Sequence, residues 1–338
     1  AMVELWFKYG RTEIFTDVED SLEILSSPQT WSATEQLKQQ VSSRVSERAK
    51  TLVIDYLHSV EGFEQVITST VEALQEGVDT GELDVMVTCW RYNEPQVEKS
   101  LFNHVKSLLK DLGLAKVEHI QKLTDVDLAE GLAITPSVYW DCEPAGIPYF
   151  LRDSTLGLVV SPVVGCGGVV SDVLVGEVEE VYAKSSEMVE RLSRYTSSKA
   201  AEILLIGGPG YPVDSRLSSC IDIASAVANV EPGKVVVLII ECSEGLGGDE
   251  FVALLAGGSP QNDTMKVAEK RLATWRKIAD KHKLCLVTAL PSTVVTKLLN
   301  ARQMDTLDQA LTYGWRVKSK EATVLAVPNS VGTCLTGF

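Results

Sequence analysis

Two apolar runs, each leading through a loop into an amphipathic helix, constrain this chain more than any other feature. Residues 51 to 57 (Thr-Leu-Val-Ile-Asp-Tyr-Leu) are strand formers, and Phe63, Val66, Ile67, Val71 and Leu74 then return at helical spacing. Leu83 to Thr88 repeats the pattern, followed by the loop Cys89 to Pro95 and a helix carrying Val97, Leu101, Val105, Leu108 and Leu112. Consecutive units of this kind build a parallel sheet flanked by helices, because the chain must cross back over the sheet to start the next parallel strand. After the polar stretch Thr196-Ser197-Ser198-Lys199 the rhythm restarts, with strands expected at 202 to 206, 234 to 241, 284 to 289 and 322 to 327. Helices are expected near 215 to 228, 249 to 256, 264 to 282, 293 to 301 and 306 to 316. The fold class is therefore α/β: two domains with largely parallel sheets, residues 1–198 and 199–338, the second the smaller, with a cleft between them.

The remaining segments are punctuated by turn chemistry. Val3 to Phe7 and Tyr9 to Ile14 alternate around Gly10 as a β-hairpin that covers a sheet edge, and Ser32 or Thr34 is placed to cap a helix ending near Lys50. Residues 124 to 153, with Pro136, Pro144 and Pro148, read as a winding connection. The cluster Gly165-Cys166-Gly167-Gly168 lies between two apolar runs. A phosphate loop would feed a helix, so the cluster reads as a hairpin turn. A helix is expected from about Ser185 to Tyr195.

Forty-six acidic against 31 basic side chains give a formal charge of −15, which argues against nucleic acid and anionic membrane as partners. No apolar run approaches the roughly 18 residues of a membrane span, and the first residues lack a basic flank and a cleavable apolar stretch. Seven scattered cysteines without a CxxC pair read as buried thiols of a reducing compartment, so the expected location is cytoplasmic.

From about residue 202 to 328 the chain resembles the C-terminal domain of the nickel-dependent lactate racemase family. The resemblance is carried by Gly207-Gly208-Pro209-Gly210-Tyr211-Pro212-Val213-Asp214, by Ser243-Glu244-Gly245-Leu246-Gly247-Gly248-Asp249-Glu250-Phe251, by Trp275, and by the closing Thr306 to Ala310 and Val324 to Pro328. The N-terminal half resembles the family through Tyr9-Gly10 and the two strand-loop-helix units. The resemblance implies a 2-hydroxy acid racemase or epimerase in which a nickel-pincer nucleotide takes up hydride. A lysine tethers that cofactor, a histidine ligates nickel, and two histidines exchange the proton.

The residues expected from the family are largely replaced. Where it has Asp-His-Thr-Arg-Pro this chain has Leu57-His58-Ser59-Val60-Glu61, and where it has Gly-Phe-His-Arg-Pro this chain has Cys89-Trp90-Arg91-Tyr92-Asn93. Between Lys122 and Lys184 there is neither a lysine nor a histidine, so the tether and the nickel ligand are not found. Ser219 and Asp222 stand where the family has glutamine and lysine. No metal ligand is assigned.

The candidate catalytic residues are then His58, in the loop after the first strand, and Arg91, a fixed cation suited to clamp a carboxylate or phosphate. The plain alternatives are a structural histidine and a surface ion pair. His104, His119 and His282 read as surface residues. Candidate cofactor-binding residues are Tyr211, Asp214, Gly247, Gly248 and Glu250, on two loops that follow strands. Against this stand glycines serving tight turns and Asp214 capping the helix from Ser215. The leading expectation is a divergent lactate-racemase-like protein that binds a small anionic metabolite or nucleotide in an interdomain cleft. An active racemase with substituted side chains and a non-catalytic interaction platform are the alternatives.

Overall fold

The computed structural model describes residues 2–18, 21–45, 49–79, 81–92, 94–120, 131–144 and 157–338. The first sheet holds β4 (Thr51–Asp55), β5 (Asp84–Thr88), β6 (Val117–His119), β7 (Leu132–Ile134), β10 (Leu158–Gly165) and β11 (Val169–Gly176), after the short ribbon β8 (Tyr139–Trp140) with β9 (Glu143–Pro144). Its order is β11-β10-β7-β4-β5-β6, parallel except for the β10–β11 hairpin. Helices α2 (Phe63–Gln75) and α3 (Pro95–Asp111) arise from the two sequence units as expected. The glycine cluster is the hairpin turn anticipated for it, with Gly167 and Gly168 at positive φ.

The second sheet is fully parallel and has as many strands as the first. Its order is β16 (Arg302–Met304), β15 (Lys283–Val287), β14 (Val235–Ile239), β13 (Ile203–Gly207), β17 (Val324–Val327) and β3 (Leu22–Ile24). Every residue of β13, β14 and β17 is buried, as a parallel sheet covered on both faces requires. The sixth strand comes from the opposite end of the chain: β3 pairs with β17, Leu22 opposite Val324. The hairpin β1 (Val3–Tyr9) with β2 (Thr12–Val18) also belongs here. It lies on a face of this sheet instead of along an edge, packing Leu5, Phe7 and Val18 with Ile203, Val237 and Ala326.

Glu23 ties the two halves at the expected boundary segment. Its carboxylate accepts from Tyr195 Oη (2.8 Å), Ser197 Oγ (2.9 Å) and the amides of Ser198 (3.0 Å) and Lys199 (3.2 Å). Burial opposes its charge, yet these donors hold the carboxyl below its usual pKa.

Several local expectations are corrected. α1 (Thr34–Ser42) stops well before Lys50 and has Ala33 at its N-cap with no side-chain bond. α4 (Val178–Ser193) begins a full two turns before Ser185, and Arg194–Tyr195 is extended as β12, pairing β18 (Cys334–Leu335). The segment 215 to 228 is a broken run of short turns around α5 (Leu217–Cys220), not one helix. α6 (Asp249–Leu255), α7 (Asp263–Lys281), α8 (Ser292–Leu299) and α9 (Leu307–Val317) match the expected positions. Of the winding connection, residues 121–130 and 145–156 lie outside the described residues. The cysteines are free thiols, all buried except the half-buried Cys142. No described helix is long and apolar enough to cross a membrane.

Candidate functional site

Parallel strands deliver their carboxyl-end loops to one edge of a sheet, and ligand crevices form there. In this chain the loops after β4 and β5 meet those after β13, β14 and β17, and two cavities lie along the seam between the halves.

The first cavity is open, with a volume of about 510 Å³, within the range of small-molecule sites. His58 and Ser59 come from the loop after β4, Lys8 from the outer face of β1, and Asn329 from the loop after β17. Lys8 Nζ donates to Ser59 Oγ (2.6 Å) and the Asn329 amide donates to the Ser59 carbonyl (2.7 Å), so the second sheet and its hairpin together grip a loop of the first. Ser59 holds φ at +61°, a left-handed conformation fixed by these bonds. The His58 amide donates to Tyr92 Oη (2.7 Å). Burial, and then the charge of Lys8, push the His58 imidazole down to about 4, although a backbone hydrogen bond with Tyr211 works the other way. The ring is therefore neutral at pH 7, and its buried Nδ1 has no partner. Nearby, Glu64 Oε1 accepts from His104 Nε2 (2.7 Å) and Tyr56 Oη (3.2 Å).

The second cavity is enclosed and holds only about 30 Å³, room for a water or two. Tyr92, Tyr139 and Trp140 of the first half face Asp222 and Ser330 of the second. Arg91 sits behind it, 2% exposed, and its carboxylate partner is internal: Nη1 donates to Asp55 Oδ2 at 2.5 Å. Asp55 also accepts from Thr135 Oγ1 (3.0 Å), which in turn accepts from Tyr182 Oη (3.0 Å). The ion pair of Arg91 is thus buried instead of lying on the surface, and the guanidinium does not reach the open cavity. Arg271, from α7, closes the same end by donating to Asp141 (2.8 Å) and to the Arg91 carbonyl (3.2 Å). Burial raises the Asp222 carboxyl to about 6, against the pull of Arg271. A latch completes the seam. Glu94 accepts from Arg216 (3.2 Å) and Ser218 (2.9 Å), and Arg216 also reaches Glu244 and Gln96.

The five residues singled out for cofactor binding are distributed along the seam, not gathered at one point. Tyr211 and Asp214 hold the first hairpin: the Tyr211 amide donates to the Gly10 carbonyl (2.9 Å), and Asp214 Oδ2 accepts from the Gly10 amide (2.8 Å). Asp214 is accordingly not a helix cap. Tyr211 lies under Arg11, whose carbon is 4.1 Å from the ring centre. Gly247 has φ +125° and passes so close to Ser218 that a Cβ would meet its Oγ at 2.3 Å. Gly248 is the N-cap of α6. Glu250 is exposed and bonded to Asn262 (3.1 Å). Among the sequence-selected residues only His58 lines the open cavity, with Tyr211 behind it. His282 is buried, not on the surface, and Trp275 fills the core with Nε1 donating to the Leu299 carbonyl (2.9 Å).

Sequence reading missed Lys8, Asn329, Glu94 and Arg216. Asn329 carried a signal, since it stands just beyond Pro328 at the carboxyl end of β17, where a parallel sheet presents its loops.

Two parallel sheets whose carboxyl-end loops face each other define a cleft-forming α/β protein. Residues 196–335 match the model of the lactate racemase C-terminal domain. The lactate racemase of Thermoanaerobacterium thermosaccharolyticum is 20% identical over 195 residues, covering 54% of this chain and 46% of that relative. The alignment thus spans under half the length of that curated relative. The structure of the lactate racemase apoprotein from the same organism matches with a TM-score of 0.63 at 14% identity, covering 99% of this chain and 100% of that one. Residues 196–335 thus resemble the lactate racemase C-terminal domain, and the chain as a whole shares the fold of that apoprotein.

Among the described residues no group of three or more His, Cys, Asp or Glu side chains is arranged to hold a metal ion by itself. Arg91, standing where the family has a proton-transferring histidine, is neutralised by Asp55 inside the protein.

Proposed function

We propose that this chain is a divergent lactate-racemase-like protein that binds a small anionic metabolite or nucleotide in the interdomain cleft and has lost the standard racemase site. The observation that carries the reading is the pairing of an open cavity with a lysine that makes no ion pair. Among the described residues Lys8 has no carboxylate within salt-bridge distance, only the Ser59 hydroxyl. An incoming carboxylate or phosphate completes it with a charge-assisted bond. Helix α2, which starts at Phe63 without a capping side chain, adds its positive end to the same wall. The small second cavity, walled by Tyr92, Tyr139, Trp140 and Asp222, supports loss of the family's chemistry, since a hydroxy acid does not fit in the space of two waters.

The test has two arms. Thermal shift and calorimetry with carboxylates and nucleoside phosphates should show stabilisation that Lys8→Met removes, because a ligand that binds only the folded state raises its stability. Loading with preformed nickel-pincer nucleotide should leave neither nickel nor added mass on the protein. Stoichiometric uptake would instead establish the second reading, a 2-hydroxy acid racemase or epimerase with substituted side chains. That reading is favoured by one observation, the neutral His58 imidazole in the cleft.

A further inference from the structure

The open cavity asks more of its ligand than negative charge. Besides Lys8, its wall carries Glu13, Glu61 and Glu64. Glu64 is occupied by His104 and Tyr56, and Glu13 lies directly across the hairpin from Lys8. Glu61 has only a long contact from Thr30 Oγ1 at 3.5 Å, while its backbone is pinned to the β10–β11 hairpin through Gly168 and Val170. Its main chain is therefore fixed at the cavity wall, and its exposed carboxylate is almost unused.

His58 adds an independent demand. The hydrogen bond with the Tyr211 backbone favours a proton on that side of the ring, which leaves the buried, unpartnered Nδ1 as a lone-pair acceptor. A buried polar atom without a partner costs free energy that a ligand donor recovers. The wall thus offers one cation and two unfilled acceptors within the short run from His58 to Glu61.

We infer that this cavity selects a zwitterion, an α-amino acid whose carboxylate meets Lys8 and whose ammonium meets Glu61 and His58 Nδ1. This rests on the cleft-binding reading above and deepens it by naming the ligand class. A simple anion satisfies Lys8 but leaves Glu61 facing its negative charge. A simple amine satisfies Glu61 but leaves Lys8 unpaired. Trp6, exposed at the rim and tilted against Phe15 with ring centres 4.9 Å apart, provides an apolar ledge for the side chain of the amino acid.

The experiment is calorimetric titration of the full chain with three near-isosteric probes: leucine, its 2-hydroxy acid counterpart, and isoamylamine. Leucine should bind about tenfold tighter or more than either partner, the size of one charge-assisted hydrogen bond. Glu61→Gln should erase the preference of leucine over the hydroxy acid, and Lys8→Met should erase that of leucine over the amine. Both side chains are exposed, so the variants fold. A hydroxy acid that binds as tightly as leucine, with loss in Lys8→Met, overturns the zwitterion and leaves the anion-binding reading standing. Leucine binding unchanged by both variants overturns the site assignment. Failure of all three probes overturns the zwitterion, and failure of nucleoside phosphates as well removes the anion reading with it.

Discussion

The two ends of the interdomain seam are made from the same kind of material, loops that follow parallel strands, yet they have opposite character. Around Arg91 and Asp222 the two guanidinium groups, Arg91 and Arg271, are paired inside the protein with Asp55 and Asp141, and the adjoining space has closed to a few waters. Around Lys8 and His58 a cation, a carboxylate and an imidazole nitrogen are positioned by backbone and hydroxyl contacts and left without ionic partners. The difference shows how a cleft is retired or kept: internal pairing satisfies charged groups and removes them from ligand chemistry, whereas positioned but unsatisfied groups remain available.

The comparison breaks first at the buried ion pair. Arg91→Ala should strand the Asp55 carboxylate and cost about 3–5 kcal/mol, read as a lower midpoint in urea at unchanged slope. A role as ligand clamp, the expectation from sequence, predicts weaker ligand binding with the fold unharmed; the buried pair with Asp55 makes loss of stability the expected outcome instead. Replacing Arg91 and Asp55 together with apolar residues should recover most of the loss. If the single variant is as stable as the parent, the closed end is not held by this pair.

Next in size is the latch. Glu94→Ala removes the acceptor of Arg216 and Ser218 and should cost about 1–3 kcal/mol. It should also speed amide exchange in the loops flanking Tyr92 and Leu217. Unchanged exchange would mean that the hydrophobic seam alone keeps this end shut.

The pH dependence sharpens the contrast because the two ends have opposite signs. Burial drives His58 down from 6.5 to about 4, so the unfolded chain takes up a proton that the folded protein refuses. Stability from this group is intact above pH 6.5 and is lost as the pH falls toward 4. Burial raises Asp222 from 3.8 to about 6, so the folded protein keeps a proton that the unfolded chain releases. Its contribution is intact below pH 3.8 and is lost as the pH rises toward 6. Denaturation midpoints across pH 4–6.5 should therefore become flatter on the acid side in His58→Asn. In Asp222→Asn the loss between pH 4 and 6 should disappear. Identical profiles in both variants would remove the distinction. His282, also held near 4 by burial, adds to the acid-side loss and is controlled by a matching His282→Asn variant.

The smallest effect is expected at the rim. Trp6→Ala, on the exposed face of the first hairpin, should change stability by no more than about 0.5 kcal/mol. A larger loss would show that the hairpin is held by its outer face as well as by Leu5 and Phe7.

Much of the fold was legible because it is written locally. The strand at 51 to 57 and the helix from Phe63 show their burial in consecutive side chains, and the second half declares its alternating units the same way. The candidate site was legible only at His58, which a single loop places at a sheet end. Its companions come from far away in sequence: Lys8 is 51 residues before Ser59, and Asn329 is 270 residues after it. No periodicity encodes such a meeting. Arg91 misled for the same reason, since its partner stands 36 residues away. One clue was present: Asp55 is a lone charge in an otherwise apolar buried strand, and such a charge requires a partner.

The placement of β3 has a consequence for how the molecule is made. Leu22–Ile24 are synthesised long before β17, the strand they pair with. During synthesis the hairpin and β3 must therefore wait for Val324–Val327 before their place in the sheet exists. A nascent chain halted before β17 carries Leu5, Phe7 and Val18 without Ala326 to pack against. Truncation that removes β17 should accordingly be sensed at β3, far away in sequence.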